Sequence, residues 1–137
     1  MRRRRLRAVA AIVWIILLLT GCKAADSVGV VFRAHYEDFQ KQYSLLQGEM
    51  RQYDPAVRED CETIAGRMED NDHLILMHYS LEEIVSRMET GKERELALEC
   101  KRVMNRMETI SFYTENSGSL SDGQKQELAE AYAAVFG

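Results

Sequence analysis

The chain has 137 residues, 46% of them hydrophobic and 29% charged, and its formal net charge is −4. Its length suits a single domain. Five of its 18 basic side chains lie in residues 1–7, so the rest of the chain has 13 basic side chains against 22 acidic ones, a formal charge of −9. This acidic balance argues against binding to nucleic acid or to anionic lipid headgroups, since both select a basic face.

The N-terminus has the pattern of an export signal. Five arginines in residues 1–7 precede a twelve-residue apolar stretch, residues 8–19, as in the charged and apolar regions of a secretory signal. Twelve helical residues rise only about 18 Å, too short for about 30 Å of hydrocarbon. The alternative is an uncleaved membrane anchor, which could recruit residues 28–32 only by carrying Lys23 and Asp26 through the hydrocarbon.

The four residues that end the apolar stretch are Leu19-Thr20-Gly21-Cys22. Their order resembles a bacterial lipobox. The resemblance implies a diacylglycerol on the Cys22 thiol, which anchors the protein in the lipid bilayer, and cleavage of residues 1–21. Residues 22–27 are then a lipidated tether and residues 28–137 a single helical domain. The five tether residues after Cys22 reach at most about 18 Å, so the domain is expected to work close to the bilayer.

The residue after Cys22 bears on the choice of membrane. In enterobacterial lipoproteins an aspartate at that position resembles a signal for retention in the inner membrane, and this chain has Lys23 there. The resemblance therefore implies the outer membrane, with the domain facing the periplasm.

If Cys22 carries lipid, Cys61 and Cys100 remain as a pair in an oxidising compartment. This predicts a disulfide closing a loop of about 40 residues, worth about 4 kcal/mol in the chain-entropy estimate. The alternative is two separately buried thiols that behave as small apolar side chains. In a square bundle the two helices that carry these cysteines are diagonal, so a bridge requires a flattened or three-cornered arrangement.

The composition and spacing of the remaining residues predict an all-α fold, a small up-down bundle of four main helices with a short C-terminal helix. The first helix covers residues 28–53. The second begins with Asp54 as N-cap and Pro55 at its first position, and ends before Asn71-Asp72. The third covers residues 73–90.

Gly91 is expected to end the third helix, and the fourth covers residues 92–113. The polar residues 116–123 read as a linker, and Ser121 with Gln124 predicts a capping box for the last helix. The side chains expected inside are those at helical spacing: Val28, Val31, Phe32, His35, Phe39, Tyr43, Leu46, Met50, Tyr53, Val57, Cys61, Ile64, Met68, Leu74, Met77, Leu81, Ile84, Val85, Met88, Leu96, Cys100, Val103, Met107, Ile110, Leu128, Tyr132 and Val135.

Few residues suggest chemistry. His78 and Glu82 are four apart and could share a weakly held metal with a third ligand from elsewhere, but a histidine in a structural role is the better interpretation. The six methionines after residue 21 fall on apolar stripes, which favours core packing over copper or haem ligation. The chain has no nucleophile signature and no glycine-rich phosphate loop. It is therefore predicted not to be an enzyme and to hold no cofactor.

The leading hypothesis for function is a membrane-tethered module that binds or scaffolds a protein partner in a groove between helices. In its signal, lipobox, length, helicity and two remaining cysteines the chain is similar to the pilotins, small helical lipoproteins that escort an outer-membrane secretin. That resemblance implies an assembly factor and carries over no binding residues. Two alternatives are a small-ligand or metal binder with a core cavity near His78, Tyr79 and Glu82, and a purely structural envelope lipoprotein.

Overall fold

The computed structural model describes residues 25–137, which contain helices and turns but no strand. The helices are α1 (Val30–Met50), α2 (Arg58–Met68), α3 (Asp72–Ser86), α4 (Gly91–Glu115) and α5 (Asp122–Phe136), with one 3₁₀ turn at Ser117–Ser119. The predicted all-α class is confirmed for this part of the chain. The predicted signal peptide, the lipobox and Cys22 lie outside the described residues.

Two helix pairs are antiparallel. The end of α1 lies beside the start of α3, where the Glu49 carboxylate is 3.1 Å from Nε2 of His73, while the other end of α3 brings Glu83 within 3.9 Å of His35. The α4/α5 pair is antiparallel as well, since α5 follows α4 after a short connection and packs back along it. None of the described helices has the length and apolarity needed to cross a membrane.

The longest helix, α4, runs beside all the others. With 25 residues it is about 37 Å long at 1.5 Å per residue. The α1/α3 half of the bundle packs at its N-terminal end, where Gly29 donates to the Glu93 carboxylate at 3.2 Å. The α2/α5 half packs at its C-terminal end, where Tyr113 donates to Glu127 at 2.5 Å.

The up-down order is only partly confirmed, because α2 and α3 run in the same direction. The start of α2 lies beside the 3₁₀ turn that follows α4, and a Cβ atom added at Gly118 would lie 3.5 Å from the Arg58 guanidinium. From there α2 leads to Asp70, which has a positive φ of 51°, and then to α3. The last helix, predicted to be short, has 15 residues and equals α3 in length.

The helix starts show where local sequence rules hold. Asn71 caps α3 by accepting from the backbone N–H groups of His73 at 3.0 Å and Leu74 at 3.2 Å. The predicted capping box of Ser121 and Gln124 is present at the start of α5. A third device, a capping box of Thr90 with Glu93, starts α4.

Three predicted boundaries are wrong by three residues or more. The first helix ends at Met50 and not at residue 53. The second helix begins at Arg58 and not at Pro55, because the Asp54 carboxylate accepts from the N–H of Ala56 at 2.9 Å in a turn, and Asp60 in turn binds the N–H of Asp54 at 2.8 Å. The third helix ends at Ser86. Gly91 is the first residue of α4, since Thr90 provides the cap.

Most of the predicted inward positions are buried or partly buried. Exceptions are Val31 and Val57, which are 55% and 46% exposed. The fully buried large side chains come from all five helices and form one core: Phe32, Phe39, Leu46, Met50, Ile64, Met77, Ile84, Met107, Ile110, Leu128, Val135 and Phe136. Phe136 was not predicted, although it lies four residues after Tyr132 and continues the same buried helical stripe.

Candidate functional site

A group of three exposed apolar side chains lies on α3. Its inner face is closed, with Met77 and Ile84 at 0% exposure, while Ile75, Leu76 and Tyr79 on its outer face are 43%, 45% and 64% exposed. We call these last three side chains the α3 ridge. Neighbouring exposed apolar side chains are uncommon on a monomer unless they contact something.

The ridge borders a groove between α1 and α3. This α1–α3 groove has a volume of about 340 Å³ and is lined by His35, Asp38, Gln42, Leu76, Tyr79, Ser80 and Glu83. Two of the lining residues, Leu76 and Tyr79, belong to the ridge, so the groove has an apolar wall on the α3 side. Its α1 wall is polar.

The charges around the groove are mostly negative. Asp38 lines the groove and is exposed, and Glu82 lines an adjoining depression that shares Tyr79 with the groove. The Glu83 carboxylate lies 2.9 Å from the Arg87 guanidinium, one helical turn away. Arg87 therefore offsets one carboxylate and leaves Asp38 and Glu82. An apolar wall with an acidic rim favours a ligand that is both apolar and basic.

One end of the groove is fixed by His73. Its Nδ1 lies 2.7 Å from the Gln42 side-chain oxygen, and its Nε2 lies 3.1 Å from the Glu49 carboxylate. Both ring nitrogens thus face oxygens of α1. His73 has a structural role here, because it ties the start of α3 to the end of α1 and sets the width of the groove.

The residues suggested for a core ligand cavity lie elsewhere than expected. His78, Tyr79 and Glu82 all face outward, and with Ile75 they line a shallow depression of about 260 Å³. The expectation of a cavity inside the bundle is corrected, because Met77 and Ser80 take the inward positions on this stretch of α3. In the described part of the chain, no three His, Cys, Asp or Glu side chains are placed to hold a metal ion together.

A second pocket, of about 380 Å³, lies at the opposite end of the bundle. It is lined by Pro55, Ala56, Arg58, Cys61, Ser117, Gly118, Leu120, Lys125, Leu128 and Ala129. These residues come from three separate segments of the chain, which is why sequence spacing does not bring them together. Arg58 and Lys125 make this pocket cationic, although the Arg58 guanidinium also lies 3.8 Å from Glu62.

The surroundings of the Cys61 thiol in this second pocket favour its protonated form. The Cys61 Sγ donates to the Pro55 carbonyl at 3.0 Å. Burial raises the pKa of Cys61, and the nearby carboxylates of Asp60, Asp54 and Glu62 raise it further. A protonated thiol is a weak nucleophile, so this geometry does not indicate covalent chemistry.

Cys61 and Cys100 are both free and buried, so the predicted disulfide is not formed in this structure. Cys61 lies one turn into α2, beside the end of α4, whereas Cys100 lies near the middle of α4. Cys61 lines a pocket with Ser117 and Gly118, just after the end of α4, whereas Cys100 is 15 residues before that end. A disulfide needs Cα atoms within about 7 Å. Burial, with a contribution from Glu99, raises the pKa of Cys100 to about 12.

We therefore expect iodoacetamide to label neither Cys61 nor Cys100 in the folded protein, and both after unfolding in urea without reductant. Intact-mass spectrometry of protein isolated from the cell envelope counts the alkyl groups. A Ser119→Cys variant is the positive control for the folded state, since Ser119 is exposed. A chain that takes up label only after reduction would contradict the expectation and restore the bridge.

The start of the described chain is attached to α4. In residues 25–29, which we call the N-terminal strap, the Ala25 carbonyl accepts from the N–H of Lys92 at 2.7 Å, and the Ser27 carbonyl accepts from the Thr90 hydroxyl at 2.6 Å. The strap continues into α1. The part of the predicted tether that the structure describes, residues 25–27, is thus bound to the domain.

The strap is completed by a buried carboxylate. Glu93 is 3% exposed, and one of its oxygens accepts from the N–H of Gly29 at 3.2 Å. The other accepts from the N–H groups of Thr90 at 3.0 Å and Glu89 at 3.2 Å. Burial by itself would raise the pKa of Glu93, but these hydrogen bonds outweigh it and hold the pKa below its usual value.

Comparisons with known proteins give no family for this chain. No protein-family model matches it, and searches of curated proteins and of solved structures find no significant match. The similarity to pilotins therefore stays a prediction from the plan of the sequence.

Proposed function

We propose that this chain is a lipid-anchored lipoprotein of the outer membrane whose helical domain faces the periplasm and binds a protein partner in the α1–α3 groove. The observation that carries the binding proposal is the α3 ridge. It exposes three neighbouring apolar side chains on a helix whose other face is fully packed. Burying such side chains against a partner is favourable, at about 25 cal/mol for each Å² removed from water.

The groove suits an amphipathic helix of the partner. A helix presents apolar side chains along one face, which would contact Leu76 and Tyr79. Lysines or arginines beside that face would meet Asp38 and Glu82 on the acidic rim. Tyrosine is also common among the residues that dominate binding energy at interfaces, which makes Tyr79, at 64% exposure, the expected anchor.

The proposed location depends on the first 22 residues of the sequence. An arginine-rich start, a short apolar stretch and Leu19-Thr20-Gly21-Cys22 are in the order expected of a lipoprotein signal. Mass spectrometry of the cellular protein tests this part alone. We expect an acylated Cys22 as the first residue, and an intact Met1 with an unmodified Cys22 would overturn it.

Binding is tested by photo-crosslinking in the native envelope. A photoreactive phenylalanine analogue at position 79 is compared with the same analogue at position 112, since Tyr79 and Phe112 are both exposed aromatics, at 64% and 60%. We expect one discrete cross-linked protein at position 79 and none at position 112. A pilotin-like role would make that protein an outer-membrane secretin.

A charge placed in the groove is the second test. Leu76→Glu should abolish the cross-link at position 79, while Leu98→Glu should leave it unchanged, because Leu76 and Leu98 are similarly exposed, at 45% and 49%, but lie on different helices. Equal cross-linking at positions 79 and 112, or a cross-link that survives Leu76→Glu, would overturn the α1–α3 groove as the binding site.

A further inference from the structure

We infer that the end of the domain formed by the N-terminal strap and the starts of α1 and α4 lies against the bilayer surface, with α4 pointing away from the membrane. This inference rests on the proposed acylation of Cys22. It adds the orientation of the domain, and it names a lipid surface as the partner of this end of the bundle.

The free chain between Cys22 and the N-terminal strap is short. Only residues 23 and 24 separate Cys22 from Ala25, and the three steps between them span at most about 11 Å. Ala25 itself is held, because its carbonyl accepts from the N–H of Lys92 at 2.7 Å. The acylated residue is therefore confined to the immediate neighbourhood of the start of α4.

The N-terminal strap is held to α4 by hydrogen bonds that oppose its detachment. The Thr90 hydroxyl donates to the Ser27 carbonyl at 2.6 Å, and the Glu93 carboxylate binds the N–H of Gly29 at 3.2 Å. Releasing the strap breaks both of these hydrogen bonds, one of them to a charged group, and only water can replace them. Hydrogen bonds to charged groups are among the stronger ones in a protein, so the attached strap and the short tether are favoured.

The surface at this end of the domain combines exposed apolar side chains with charged ones. Val30 and Val31, directly after the strap in the first turn of α1, are 86% and 55% exposed. Exposed charges nearby have both signs in equal number, with Arg33, Lys92 and Arg94 against Asp26, Glu89 and Glu95. Apolar side chains among mixed charges suit the interfacial layer of a bilayer, and the acyl chains, not net charge, supply the attraction.

This orientation fixes where the other surfaces lie. The α1–α3 groove begins at His35, five residues into α1, and so about 8 Å beyond the membrane-facing end at 1.5 Å per residue. The pocket lined by Arg58 and Lys125 lies at the far end of α4, about 37 Å from the bilayer. A partner of the groove must therefore come close to the membrane.

The orientation is tested with full-length protein purified from the envelope and reconstituted into vesicles of phosphatidylethanolamine and phosphatidylglycerol. The variants Val30→Cys and Ser119→Cys each carry an environment-sensitive fluorophore on the new thiol, and both positions are exposed. We expect the fluorophore at position 30 to brighten several-fold on the vesicles and to be quenched by spin-labelled headgroups. The fluorophore at position 119 should do neither.

A flexible Gly-Ser insertion between residues 24 and 25 is the matched control, because it lengthens the tether without altering the fold. It should reduce the response at position 30. Equal responses at positions 30 and 119 from an acylated protein would overturn the orientation alone. A protein that mass spectrometry finds unacylated at Cys22 would overturn both the orientation and the proposed anchor.

Discussion

Replacing Glu93 with alanine is expected to lower the free energy of unfolding by about 1.5–3 kcal/mol, the range for hydrogen bonds to a charged group. The substitution removes the acceptor of three backbone N–H groups, those of Gly29, Glu89 and Thr90. It also frees the N-terminal strap. Urea denaturation followed by circular dichroism measures the loss, and faster proteolysis before residue 30 reports the freed strap.

The pH dependence of stability separates the charge from the shape of this side chain. The pKa of Glu93 in the folded state is below its ordinary value of 4.5, so its contribution is complete above that pH and is lost as the pH falls through the folded value. Wild type should therefore lose stability between about pH 5 and 3 more steeply than Glu93→Ala. Parallel pH profiles would contradict the proposed role of the carboxylate, and Glu93→Gln, which keeps the shape without the charge, should share the shallower profile of Glu93→Ala.

A pair of adjacent leucines gives the second large effect. Leu46 is 0% exposed and Leu45 is 46% exposed. Leu46→Ala is expected to lower the free energy of unfolding by about 2–5 kcal/mol, since it removes buried methyl groups and leaves a cavity. Leu45→Ala should change it by no more than about 0.5 kcal/mol. The same denaturation experiment measures both.

The comparison tests the orientation of α1 within the bundle. Since the two substitutions are chemically identical and one residue apart, helix propensity affects both equally and cancels in the difference. Equal losses at the two positions, or a larger loss at Leu45, would mean that α1 packs through another face. Different α1 residues would then line the α1–α3 groove, because its α1 wall depends on that same orientation.

The sequence predicts the helices well where the cap is a strong local signal. Asn71 and the Ser121–Gln124 box set their helix starts through hydrogen bonds to the next few residues, so neighbouring residues suffice. The start of α2 was predicted wrongly. The Asp54 carboxylate accepts from the N–H of Ala56 within a turn, and the helix begins at Arg58, three residues after Pro55. A capping residue followed by proline is equally compatible with either outcome.

The candidate site was harder to foresee, because it depends on which helices pack together. Periodicity predicts the inner face of α3, but it does not indicate that α1 is the neighbour, and the outward position of Tyr79 comes from the structure. Likewise, a spacing of four places His78 and Glu82 on one face without saying whether that face is buried. Only the packing of Met77 and Ser80 decides this.

The long α4 helix also determines how the domain comes apart. Its N-terminal half is covered by α1 and α3 and its C-terminal half by α2 and α5. Unfolding of either pair therefore exposes part of α4 to solvent. We therefore expect the whole domain to unfold cooperatively. Amide protons in the central turns of α4, around Met104, which is 3% exposed, should exchange with solvent only when the entire domain opens.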